Sequence, residues 1–120
     1  MQYGIVLVNG EHRGLKAERC TSFTERARGL LGRPMLAEDE GLWIAPCASV
    51  HTFGMNYAID VIFCDYDGLV VRVVENLQPG SIVIASGARS AYSLRSGMTR
   101  AIRVRTNDRL VFQLAPDTAA

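Results

Sequence analysis

Lysine is almost absent from this 120-residue chain: Lys16 stands alone against twelve arginines. Net charge is nearly absent too, at +1, so whole-chain electrostatics give no pull toward nucleic acid or an anionic membrane surface. No apolar run approaches the roughly 18 residues that cross a bilayer as a helix. The opening Met1–Gly10 has no basic segment and only a short apolar stretch before Asn9-Gly10, so it reads as a strand and turn, not a signal peptide. Cysteines number three, Cys20, Cys47 and Cys64, with no Cys-x-x-Cys pair. An odd, unpaired set excludes a disulfide framework and points to reduced thiols and a cytoplasmic setting. Repeats, low-complexity tracts and Pro/Gly-rich linkers are missing as well, which leaves one domain over residues 1–120.

What is present is an ordinary globular composition, 48% apolar and 21% charged. Tyr3–Val8 reads as a strand returning across Asn9-Gly10 into Leu15–Arg19. Ser22 and Glu25 form a capping-box pattern, and Phe23, Ala27, Leu30 and Leu31 share one face of a short helix near residues 23–32. Beyond it, short strands are expected at Gly41–Ala45, Asp60–Cys64, Leu69–Glu75, Ile82–Ala85 and Ala91–Leu94, with Asp67-Gly68 as a hairpin turn. Phe53, Met55 and Tyr57 alternate as if on one strand face. So do Ile102 and Val104, and then Leu110, Phe112 and Leu114, with Asn107-Asp108 between them. The expected fold is α+β and mostly β, an antiparallel sheet or small partly open barrel with one main short helix. Charge is segregated along it: +3 over residues 1–34, −6 over 35–80 and +4 over 81–120. Such blocks either face one another in the fold or present an arginine-lined surface to an anionic ligand.

Several blocks carry a resemblance. Arg26-Ala27-Arg28-Gly29-Leu30-Leu31-Gly32-Arg33, then Asp39-Glu40-Gly41-Leu42-Trp43-Ile44, then Cys47 through Phe63 with His51-Thr52-Phe53-Gly54-Met55 and Ile59-Asp60, are similar to domain-of-unknown-function family 192. They match its branch with a Cys-x-x-x-His-Thr-Phe segment. Asp65, Asp67-Gly68, Val74–Leu77, Gly97 and Asn107–Leu110 extend the resemblance over nearly the whole chain. It implies a compact, mostly β domain of bacterial or archaeal type and no established activity. Leu31 replaces the usual Met, a volume-conserving change. Asn107 replaces a Gly, which fits if that residue is left-handed. Ser93 lies where the family commonly has Glu.

His51 and Asp60 are the catalytic candidates, a base and its orienting carboxylate if the fold joins them. Without that contact, Asp60 is a turn cap and His51 a structural hydrogen-bonding group. Cys47 with His51 could form a nucleophile pair or, with Asp60, a three-ligand metal set, though no paired metal motif supports the latter. Arg26 and Arg33 share a helix face and would fork onto an anion or onto Glu38-Asp39-Glu40. Trp43, Phe53, Met55 and Tyr57 supply apolar surface beside these groups.

The first functional reading is a non-catalytic binding module for a small anionic or sugar-like ligand. Its pocket would combine Arg26, Arg33, Trp43, His51, Phe53, Met55 and Asp60. A hydrolase or lyase using His51 with Asp60 is the alternative, and a docking protein with an exposed edge strand is a third. No cofactor or metal is expected, nor a nucleic-acid or membrane partner; a monomer or weak dimer is.

Overall fold

A computed structural model of the chain describes residues 2–20 and 36–115. The helix expected near residues 23–32 lies outside them. Strand β1 (Gln2–Val8) turns into β2 (Glu11–Cys20) through Asn9-Gly10, both at positive φ (51° and 84°), the twist a two-residue hairpin needs. The chain continues through β3 (Glu40–Ile44), β4 (Ser49–His51), β5 (Ile59–Cys64), β6 (Val70–Leu77), β7 (Ile82–Ile84), β8 (Ser90–Arg95), helix α1 (Met98–Ala101) and β9 (Leu110–Leu114).

Seven of these strands form one sheet in the order β6-β5-β8-β3-β2-β1-β9, and β4 pairs with β7 as a separate ribbon. Neighbours in the large sheet are antiparallel except β2 and β3, which run parallel from Lys16 beside Glu40 to Cys20 beside Ile44. A parallel pair needs a crossover, and residues 21–39 connect the two strands.

The sheet curls until its edges meet at one point. Leu69 bridges Arg109, the Val70 amide donates to Asp108 O at 2.8 Å, and the Leu110 amide donates to Gly68 O at 2.8 Å. The expected mostly β architecture is therefore found as a curled half-barrel with one short helix among the described residues. No described helix is long and apolar enough to cross a membrane.

Alternation gives the sheet two buried faces. Val6, Val8, Leu15, Ala17, Ile62, Cys64, Tyr92, Leu94 and Leu110 point into the curl. Leu42, Ile44, Ile59, Val61, Phe63 and Ala91 point outward and are packed against Val50 and Val83 of the β4–β7 ribbon. Strand β5 is buried on both faces over all six residues, which explains its continuous apolar run.

Two expected strands are turns instead. Residues 52–58 leave β4 at once: Gly54 is at φ 81° and the Met55 amide donates to Thr52 O, so Phe53, Met55 and Tyr57 share no strand face. Ile102 and Val104 follow α1 in a turn where Arg103 takes φ 57° and the Val104 amide donates to Thr99 O at 3.0 Å. Their alternation reflects burial without extension. With Met98 they plug one end of the curl. Asn107 is indeed left-handed, at φ 75°.

Candidate functional site

Among the described residues, a cavity lies at the end of the curl opposite α1. Register decides what meets there: Arg19 lies beside Trp43, Trp43 beside Tyr92, and Tyr92 beside Ile62, in a row across β2, β3, β8 and β5. Phe112 reaches Trp43 from β9, with ring centroids 5.1 Å apart and planes 20° from parallel. Gly4 permits this, because a Cβ there would stand 2.8 Å from the Phe112 ring and against Gln113 O. Tyr92 stacks on the indole at 5.9 Å, and the Arg19 guanidinium carbon sits 5.2 Å from its centroid. Offset aromatic stacking and a cation over indole each contribute about 1 kcal/mol.

These residues line a cavity of about 530 Å³ with the β5–β6 turn (Asp65–Gly68), Pro46, Arg89 and Val111. That volume falls within the range of small-molecule sites. Burial in the wall raises the Cys64 thiol to about 12, and burial with the nearby Cys64 raises the Tyr92 hydroxyl, so both are neutral near pH 7. Formal charge comes from Arg19, Arg89, Asp65 and Asp67. Asp65 spends Oδ1 on the turn, accepting from the Asp67 and Leu69 amides at 2.8 and 3.0 Å. Two buried donors of lining residues, Trp43 Nε1 and Arg19 Nε, have no hydrogen-bond acceptor among the described residues. Each such orphan costs about 1–3 kcal/mol. Among the described residues, Arg19 is otherwise held by one long bond, Nη1 to Gln2 Oε1 at 3.3 Å, and by the indole beneath it.

Of the residues expected to form the pocket, Trp43 is the one described residue that lines this cavity. Asp60 sits four residues before Cys64 on β5, about 13 Å along the strand from the cavity. Its carboxylate is fully buried. Oδ1 accepts from the Asn76 amide at 2.8 Å, and Oδ2 accepts from the Gly97 amide, the Thr99 amide and Thr99 Oγ1 at 3.0, 3.0 and 2.8 Å. It therefore ties α1 and β6 to β5, the cap reading of this residue.

His51 is not among those donors. It is exposed at the end of β4, stacked on half-exposed Phe53 at 5.7 Å, and Met55 packs on the outer core. Neither His51 nor Asp60 lines the cavity that holds Trp43, and Arg26 and Arg33 lie outside the described residues. Cys47 donates its thiol to Ser49 O at 3.0 Å. Among the described residues, no three His, Cys, Asp or Glu side chains gather as a metal site. Ser93 is buried on β8, facing away from the cavity like Ala91.

The sequence reading did not place Arg19, Tyr92, Phe112 or Arg89 at a site. Parity along β9 put Phe112 with Leu110, but the pairing of β2 with β3 that carries Arg19 to Trp43 leaves no local signal.

The model of DUF192, described as "Uncharacterized ACR", matches residues 5–112. The chain belongs to this family. The DUF192 match contains every residue that lines the cavity, from Arg19 to Phe112. A Sinorhizobium meliloti 1021 structure described as a candidate transcription regulator is similar at 22% identity and a TM-score of 0.81, covering 92% of this chain and 93% of that one. A protein of unknown function from Novosphingobium aromaticivorans DSM 12444 is similar at 22% identity and a TM-score of 0.77, covering 88% and 82%. At that identity the likeness shows the fold. No curated protein matches the chain.

Proposed function

We propose that this DUF192 domain is a non-catalytic binding module for a small ligand carrying an anionic or sugar-like polar end. The site is the end of the half-barrel opposite α1, with Trp43, Tyr92 and Phe112 as its floor and Arg19 and Arg89 as its cations. The observation that carries this reading is the cavity of about 530 Å³ whose lining holds an aromatic stack and two residues, Trp43 and Arg19, each with a buried N–H that no described residue accepts. A floor with few polar groups fixes orientation while burial supplies affinity. The protein acts as a monomer or weak dimer in the cytoplasm.

A thermal-shift screen of small metabolites tests the reading. A ligand at 100 times its dissociation constant stabilises by about 2.7 kcal/mol, an easily measured shift. Hits lost in Phe112→Ala and kept in His51→Ala support the cavity; hits with the reverse dependence would move the site to β4.

One observation favours a second reading, a protein-docking face. Ile82 and Ile84 of β7 are 60% and 68% exposed, on the same outward face of the ribbon as His51, with Phe53 beside it. The hydrolase or lyase alternative finds no support in an Asp60 whose oxygens already accept four hydrogen bonds.

A further inference from the structure

We infer that the ligand carries a carboxylate on a planar ring, seated with the carboxylate at Arg19 and Trp43 and the ring over the aromatic floor. This rests on the binding-module reading and deepens it. Buried donors without acceptors are rare and call for an explanation. Here two occur on register partners, Trp43 Nε1 and Arg19 Nε, on neighbouring strands that line the same cavity.

Both N–H groups are closed to solvent in the ligand-free protein, so a carboxylate reaches them once the Arg19 side chain swings aside; its two coplanar oxygens then accept from both, with charge assistance from the guanidinium. Arg19 can re-aim because its remaining polar contact among the described residues is the 3.3 Å bond to Gln2, which the stronger acceptor replaces. A third buried orphan, Arg13 Nε, carries no such meaning. Its guanidinium is already engaged with Ile102 O, Arg103 O and Glu11, and it lies outside the cavity lining.

The unmet donors set the orientation. Asp65 and Asp67 follow β5, and Arg89 stands at the same end of the cavity, its amide donating to Cys64 O at 2.7 Å, so charge alone does not orient the ligand. The buried N–H groups of Trp43 and Arg19, which no described residue accepts, place the anionic group on their side and the ring toward the turn. The ring requirement follows from the floor. Trp43, Phe112 and Tyr92 lie within about 23° of a common plane orientation, a stack that a flat ring continues and a puckered one does not.

Calorimetric titration of the full chain with four probes tests this: 2-naphthoate, 2-naphthamide, naphthalene-2-phosphonate and cyclohexanecarboxylate. The naphthoate is expected to bind about tenfold or more tighter than the amide, the loss of one charge-assisted bond. It should also outbind the puckered carboxylate. Arg19→Met keeps the packing stem and should erase the naphthoate preference without weakening the amide; Arg19→Lys should restore part of it. Equal binding of naphthoate and naphthamide, both lost in Phe112→Ala, would overturn the carboxylate inference and leave the binding module standing. Preference for the phosphonate would do the same in favour of a tetrahedral anion. No saturable binding of any probe at millimolar concentration would remove both.

Discussion

Replacing Asp60 by Asn is nearly isosteric and removes only the charge and one acceptor, so it isolates what the buried carboxylate does. The amide must turn its NH₂ group toward one of the two acceptor positions. At Oδ2 it would face three donors, from Gly97 and Thr99; at Oδ1 it would face only the Asn76 amide. The second orientation wins. It loses one bond, at about 1–3 kcal/mol for the donor left unmet. It also turns three charge-assisted bonds into neutral ones of roughly half the strength. Together these give about 3–5 kcal/mol, a large share of the 5–15 kcal/mol typical of a domain. For a chain this size that lowers Tm by roughly 12–20 °C. Urea unfolding followed by circular dichroism measures it directly. His51→Ala, at an exposed ribbon position, should stay within about 0.5 kcal/mol of the parent. An Asp60→Asn protein as stable as the parent would refute the anchoring role, and a matched loss in both variants would revive the His51–Asp60 pair.

Two further outcomes follow from the cavity wall. Gly4→Val should displace Phe112 from the indole, costing about 1–3 kcal/mol by overpacking and changing the near-ultraviolet dichroism of Trp43; an unchanged spectrum would mean the ring does not depend on that gap. Stability should fall as pH rises past about 9. The unfolded chain releases the Cys64 proton near its ordinary value, while the fold holds it to about 12. Over that window the unfolded state binds fewer protons, so Cys64 costs up to about 4 kcal/mol by pH 12, with buried Tyr92 adding in the same direction. Cys64→Ala should flatten part of this alkaline slope; an identical slope would assign the loss elsewhere.

Local chemistry made much of the fold legible. Asn9-Gly10 and Asp67-Gly68 announced their hairpins because few residues take positive φ without strain, and Asn107 announced its own left-handed turn for the same reason. Asp60 was readable as a cap. Ile102 and Val104 misled because alternation reports burial on one side, and a turn that plugs a barrel end buries alternate residues as a strand does. Phe53, Met55 and Tyr57 misled in the same way, with Gly54 as the overlooked break. Of the cavity, Trp43 alone was legible as a pocket residue. Its row of Arg19, Trp43 and Tyr92 comes from residues far apart in the chain, joined by a parallel pairing and an antiparallel one whose registers no local pattern encodes.

Trp43 is the only tryptophan, so its indole N–H gives one unambiguous signal in a proton–nitrogen correlation spectrum of the whole protein. The ligand-free protein should place that signal where an indole without an acceptor resonates, and added 2-naphthoate should move it downfield and saturate. A signal already at the hydrogen-bonded position, and unmoved by every ligand that binds the protein, would contradict the claim that this end of the half-barrel is the site.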